Sequence, residues 1–211
     1  MLFYRYALFA LAGYLSGSIL FAYWIPRLML RIDTAEVSPD KNPGVFNAFR
    51  YAGKRCGIPA LACEILKGSL PVFLAAKSLD VWSLWFALVM AAPVLGHAFP
   101  VWHRFHGGKS IAVSFGVLVG LFPEAMPFLL LAGLYIFFSV ALIIDTHLWR
   151  SIAVFDLFGA AAILLVAAPG LRLGCLAISL LVSAKHFARR EGEALSVRPF
   201  WRRVVKSSGS N

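Results

Sequence analysis

Three short polar stretches stand at the edges of long apolar runs, and each carries residue types that bind anions. The first runs from Asn42 to Gly53 and contains Asn42, Gly44, Asn47 and Arg50. Glycine admits backbone conformations in which successive N–H groups converge on one anion, and a guanidinium grips phosphate or carboxylate with two parallel hydrogen bonds. The residues themselves leave two readings open, an anion-binding turn or an ordinary turn leading into an interfacial helix. The second stretch runs from Gly96 to Ser110 and ends Gly107-Gly108-Lys109-Ser110. That ending superficially matches a P-loop. The motif, however, needs a glycine where His103 stands and a preceding strand, so a nucleotide-binding loop is rejected. Two glycines and a lysine ahead of the apolar run from Ile111 still place N–H groups and a cation at a helix N-terminus, where phosphate is favoured. His97, His103 and His106 share this stretch without a cysteine or carboxylate beside them. Their spacing fits no zinc pattern, so no metal is expected. The third stretch, Lys185-His186 to Glu193, leaves the last apolar run. A basic end to a membrane span is ordinary, and His186 beside Lys185 adds a further group suited to phosphate.

Two charges sit within an apolar run. Glu64 and Lys67 are three residues apart and so share a helix face. A charge at mid-bilayer costs about 2.5–3.5 kcal/mol on insertion scales, so such residues face protein or a pathway rather than lipid. A structural pair and a functional site are both open for them, and Asp156 is a similar but solitary case. Cys56, Cys63 and Cys175 show no paired spacing and read as small buried hydrophobes.

The elements that must position these stretches are membrane spans. Of 211 residues, 60% are hydrophobic, and the mean hydropathy is +0.78, too apolar for a soluble core of this size. Seven apolar runs follow one another: 6–26, 58–76, 82–101, 111–122, 127–144, 152–168 and 171–184. The fourth is short, Pro169-Gly170 marks a hairpin between the last two, and a six-span count remains an alternative. The expectation is an all-α integral membrane protein of about seven transmembrane helices, with no sequence repeat. Residues 1–194 form a single transmembrane domain and 195–211 a basic, partly disordered cytoplasmic tail. Within that tail, 197–203 interleave cations and aromatics as an interfacial anchor. The net charge is +10, from 20 basic and 10 acidic residues. With seven spans, 16 of the 20 basic residues fall on the side of the first, third and fifth loops and the C-terminus. Arg5, Lys77 and Arg172 fall on the other, and Lys67 lies inside a span. Basic loops stay in the cytoplasm, so the N-terminus is expected outside and the C-terminus inside. The charge suits anionic lipid or phosphorylated substrates, and the apolar spans argue against nucleic acid.

Taken in order, these stretches resemble the PlsY family of bacterial seven-span acyl-phosphate:glycerol-3-phosphate acyltransferases. The family's first motif, GSGNxGxTNxxRxxG, is matched by Asn42, Gly44, Asn47, Arg50 and Gly53. Glu64 to Gly68 resembles its acidic-x-x-Lys-Gly span. Gly96-His97-Ala98-Phe99-Pro100 through Phe105-His106-Gly107-Gly108-Lys109 resembles the second motif, and Lys185-His186 with Gly192-Glu193 the third. The departures are specific. Pro39-Asp40-Lys41 replaces Gly-Ser-Gly, Thr34-Ala35-Glu36 the upstream DxR, Phe46 a Thr, Ser110 a Gly and Arg189 an Asn. The stretch after Arg189 is about four residues shorter than in the family.

The resemblance implies transfer of a fatty acyl group from acyl phosphate to the sn-1 hydroxyl of glycerol 3-phosphate, giving lysophosphatidate at the cytoplasmic face of a bacterial inner membrane. An acyl phosphate has a good leaving group, so the protein needs to hold two anions together and neutralise the departing phosphate. Lys109 with the Gly107 and Gly108 amides is expected to hold one phosphate, and Arg50 with Asn42 and Asn47 the other. His97 and His186 would orient groups, and Gly44 and Lys185 complete the expected site. No cofactor is required, and the oligomeric state is not set. The alternative is a non-catalytic binding or transport protein for a phosphorylated small molecule or lipid, using the same basic pocket.

Overall fold

The computed structural model describes residues 2–144, 146–188 and 197–199. Each apolar run forms helix. The first is broken: α1 (Leu2–Gly17) stops, and α2 (Phe21–Leu30) resumes after three residues. A short α3 (Thr34–Val37) follows, capped by the Asp33 carboxylate, which accepts from the Ala35 and Glu36 N–H groups. The second run lies in α4 (Val45–Ser78), which is interrupted at Gly53 with φ 72° and ψ −178°. Only glycine takes that conformation without strain, so Gly53 separates a short surface segment from the long apolar helix. Then come α5 (Phe86–Ala98), α6 (Ile111–Val119), α7 (Met126–Val140), α8 (His147–Leu165) and α9 (Pro169–Ala188).

Among the described residues, five stretches are long and apolar enough to cross a membrane: Phe3–Leu30, Val45–Ser78, Phe86–His103, His147–Leu165 and Pro169–Ala188. The Met126–Val140 helix is shorter, and α6 has nine residues. Large apolar side chains face outward, Leu164 being 82% exposed, which only lipid tolerates along a whole bundle. The chain is a multi-pass integral membrane protein.

One expected span ends early. The run 127–144 is helical only to Val140; Leu142–Ile144 form a strand, β1, paired antiparallel with β2 (Val197–Pro199). Two β-branched residues in succession suit a strand, and the partner comes from the region read as an interfacial anchor. The rest of the anchor, and Arg189, Gly192 and Glu193 of the third motif, lie outside the described residues.

Helices pack through small residues. Gly13 and Gly17 of α1 face Pro93 of α5, and Gly96 faces the Tyr14 carbonyl; on the other side Gly116 of α6 and Gly120, its C-cap, lie against the Ile65 and Ser69 carbonyls of α4. Lipid tails are as apolar as leucine, so close backbone approach supplies the dispersion that holds such helices together.

Candidate functional site

The break between α1 and α2 leaves backbone groups without helical partners, and the charged pair of the second span meets two of them. Lys67 Nζ donates to the Ile19 carbonyl at 2.6 Å. Glu64 Oε1 accepts from the Ala22 N–H at 3.2 Å. Glu64 Oε2 also lies 2.7 Å from Lys67 Nζ and 2.9 Å from His97 Nδ1. All three side chains are buried. Paired in this way, they hold α2, α4 and α5 together, and His97 links the pair to the loop that follows α5.

That loop is the glycine-rich one. Gly108 donates its N–H to the His97 carbonyl at 3.1 Å. A Cβ on Gly107 would collide with the same carbonyl, and one on Gly108 with the His97 ring at Nε2. The glycines are therefore set by close approach to α5. The Gly108 amide, expected to bind phosphate, is spent on His97. Ser110, which replaces a motif glycine, has φ 63° and sits in the left-handed region that glycine favours. Its hydroxyl donates to the Val94 carbonyl at 3.2 Å.

The Asn42 turn is organised by two side chains. Asn47 Nδ2 donates to the Asn42 carbonyl and to Asp40 Oδ1, both at 2.8 Å. Asp40 Oδ1 also accepts from the Asn42 N–H at 3.3 Å, while its Oδ2 pairs with Lys109 Nζ at 3.0 Å. Burial works against the Asp40 charge, but hydrogen bonds from Asn47 and Lys109 and the Lys109 charge outweigh it and lower its pKa below the ordinary 3.8. The first and second motifs are thus tied by an ion pair across 69 positions of sequence.

Between these loops lies a cavity of about 620 Å³, within the size of small-ligand sites. One part of its wall is polar, with Asp40, Asn42, His97, Lys109 and His186. Another is apolar, with Val45, Leu61, Ile111, Ala112 and Phe115. Its walls draw on the first, third and fifth loops and the end of α9. His186 is buried, and its Nδ1 lies 2.9 Å from the Val182 carbonyl. A carbonyl only accepts, so Nδ1 carries a proton.

The expected site residues do not all meet there. Asn42, Gly44, His97, Lys109 and His186 line the cavity; Asn47 is buried just behind it. Gly107 and Gly108 shape the adjoining loop. Arg50 does not line it: the side chain is exposed on α4, with its guanidinium 5.8 Å from the Tyr51 ring centroid. Lys185 donates to the Ala98 carbonyl at 2.6 Å and lies 4.1 Å from the Phe99 ring centroid, fastening α9 to α5 rather than lining the cavity. Asp156 accepts from the Ser183 hydroxyl at 2.6 Å, joining α8 to α9. The sequence reading missed Asp40, His147 and Arg150, which also line the cavity. The signal for the last two was a pair of basic residues three apart at the start of an apolar run. Among the described residues no group of three His, Cys, Asp or Glu is placed to hold a metal.

Comparison with known proteins bears on the whole arrangement. The chain is 41% identical over 54% of its length to a glycerol-3-phosphate acyltransferase of Myxococcus xanthus, and 42% identical over 55% to one of Cupriavidus necator. These alignments span 59% and 58% of the relatives' own lengths. A longer match, to a protein of the same name from Syntrophotalea carbinolica, is 34% identical over 83% of this chain and 87% of that one. The fold matches crystal structures of PlsY (YgiH), an integral membrane glycerol 3-phosphate acyltransferase. The TM-score is 0.72 at 26% identity for its glycerol 3-phosphate form and 0.69 at 25% for its lysophosphatidic acid form. Both matches cover 96% of this chain and 92% of the solved one. With the glycerol-3-phosphate acyltransferase family model matching residues 7–191, this chain belongs to that family.

Proposed function

We propose that the protein transfers a fatty acyl group from acyl phosphate to the sn-1 hydroxyl of glycerol 3-phosphate, making lysophosphatidate for phospholipid synthesis. The observation that carries this reading is the cavity itself, which joins a polar wall to an apolar one within a membrane bundle. A substrate with a charged head and an acyl tail fits both walls. The named relatives, and the solved protein with glycerol 3-phosphate, support the choice of acceptor.

The acceptor oxygen attacks the acyl carbonyl carbon. The carbon–oxygen bond to phosphate breaks, and the hydroxyl proton leaves with the departing phosphate. No covalent enzyme intermediate is needed. His186, which lines the cavity, orients the attacking hydroxyl. Lys109, in the polar wall, offsets negative charge as phosphate departs. Arg50 has no part in this scheme, because it lies outside the cavity. We further propose seven crossings, with the N-terminus outside and the cavity opening to the cytoplasm of a bacterial inner membrane. The support is that the cavity walls come from the first, third and fifth loops and the last helix, the side where 16 of the 20 basic residues fall.

The test uses purified protein with palmitoyl phosphate and labelled glycerol 3-phosphate. Lysophosphatidate should form. Lys109→Ala removes the cation and leaves the Asp40 carboxylate unpaired beside the substrates, so the rate should fall about 100-fold. Tight binding of both substrates without product would replace this reading with the binding-protein one.

A further inference from the structure

The two cations of the cavity wall, Lys109 and Arg150, are not equally engaged. The charge of Lys109 is met inside the protein by Asp40, 3.0 Å away. Arg150 enters from the first turn of α8. Among the described residues it makes no ion pair. Its Nη2 donates to His147 Nδ1, while its Nε is shielded from solvent and has no hydrogen-bond partner among the described residues. The hydroxyl of Thr146, the N-cap of the same helix, is also shielded and, among the described residues, unbonded. Buried donors without acceptors are rare in folded proteins, and a bound group that accepts from both would satisfy these two. Thr146, His147 and Arg150 all line the cavity, at the positive end of a 19-residue helix.

The neighbouring departures from the family motif point the same way. Asp40 stands at the position of a motif serine, and its carboxylate occupies Lys109. Phe46 stands at the position of a motif threonine, and its ring centroid lies 4.9 Å from that of His147. The cavity wall thus carries a carboxylate paired with Lys109 and a second cation, Arg150.

We propose that Arg150, with Thr146 and His147, forms a phosphoryl-binding subsite on the α8 wall, and that Asp40 directs phosphate there by holding Lys109. The subsite deepens the acyltransferase reading and rests on it only for which phosphate arrives, that of the acyl donor or that of the acceptor. The recognised chemistry is the same in both cases, a terminal phosphate dianion gripped by a guanidinium fork, a hydroxyl and helix amides.

The test measures binding of decyl phosphate and, separately, glycerol 3-phosphate to the full chain in nanodiscs, by calorimetry. Arg150→Gln should weaken one of the two by about tenfold or more, since a lost charge-assisted fork is worth at least that factor. The probe that weakens identifies the source. Lys77→Gln, which removes an exposed cation at the far end of α4 that does not line the cavity, should shift the same affinity by less than about threefold. Unchanged binding of both probes by Arg150→Gln overturns the subsite. So does an equal loss in Lys77→Gln, which would report net charge rather than a subsite. Thermal unfolding is followed for each variant. If Arg150→Gln does not fold, Arg150→Lys decides, since it keeps the charge and loses the fork: a threefold or greater loss supports the subsite and unchanged affinity overturns it. Turnover by the wild-type protein separates the two readings. Arg150-dependent binding without lysophosphatidate defeats the acyltransferase and leaves the subsite. Turnover with binding indifferent to Arg150 does the reverse.

Discussion

Asp40 sets how much positive charge the cavity offers a substrate, and it does so through contacts from three directions: Asn47, the Asn42 N–H and Lys109. Its pKa is lowered, so the sign of its pH dependence is fixed. The pair's contribution to stability is whole above the ordinary 3.8 and disappears only as pH falls through the lowered value. The difference in melting temperature between wild type and Asp40→Asn should therefore stay constant from about pH 5 to about pH 8 and shrink below about pH 4. A difference that titrates between pH 5 and 8 would mean the carboxylate is not held by Lys109. The residue types at this site were legible in the sequence, because Asn, Gly and Lys at motif spacing mark themselves. Their partners were not. Asp40 reads as a turn residue until a lysine 69 positions away comes within 3.0 Å, and Arg50 reads as a ligand until its helix face turns it outward. Type and spacing name candidates, but only the packing of distant segments decides which of them face the same space.

At the scale of elements, the critical joint is the gap between α1 and α2. Inside a bilayer an unmet backbone group costs several kcal/mol, so a broken helix survives only where protein satisfies it. Lys67 and Glu64 do this, and in doing so they neutralise each other. Removing one partner strands a buried charge. Lys67→Met alone should cost about 3–5 kcal/mol of unfolding stability. Glu64→Gln added to it should recover part of that loss, because the amide oxygen still accepts from Ala22 while the stranded negative charge is gone. Denaturant unfolding in detergent measures both variants. A Lys67→Met protein as stable as wild type would show that the joint does not depend on the clamp. The helices were legible from apolar runs alone. The joint within the first run was not, because Ser18, Ile19 and Leu20 carry no strong breaker. Nor was β1, since a short β-branched end to an apolar run reads equally well as helix until a partner strand is known.

For the whole molecule, the question is which side of the membrane the cavity faces. The bundle brings the first, third and fifth loops to one cavity, and an acyltransferase using cytoplasmic glycerol 3-phosphate needs that cavity inside. The charge asymmetry gives the same direction, since short basic loops resist export. Lys54 and Lys77 are exposed near opposite ends of α4, so a cysteine at each reports one side of the membrane. The native cysteines are Cys56 and Cys175, both buried, and half-buried Cys63. With all three replaced by alanine, Lys77→Cys should react with a membrane-impermeant maleimide in intact cells, and Lys54→Cys only after the membrane is opened. The reverse pattern would turn the cavity outward and remove its access to a cytoplasmic acceptor, however well the fold and the polar wall resemble those of the family. Equal labelling of both sites in intact cells would mean that α4 does not cross the bilayer, which its 34 residues broken only at Gly53 make the least compatible outcome.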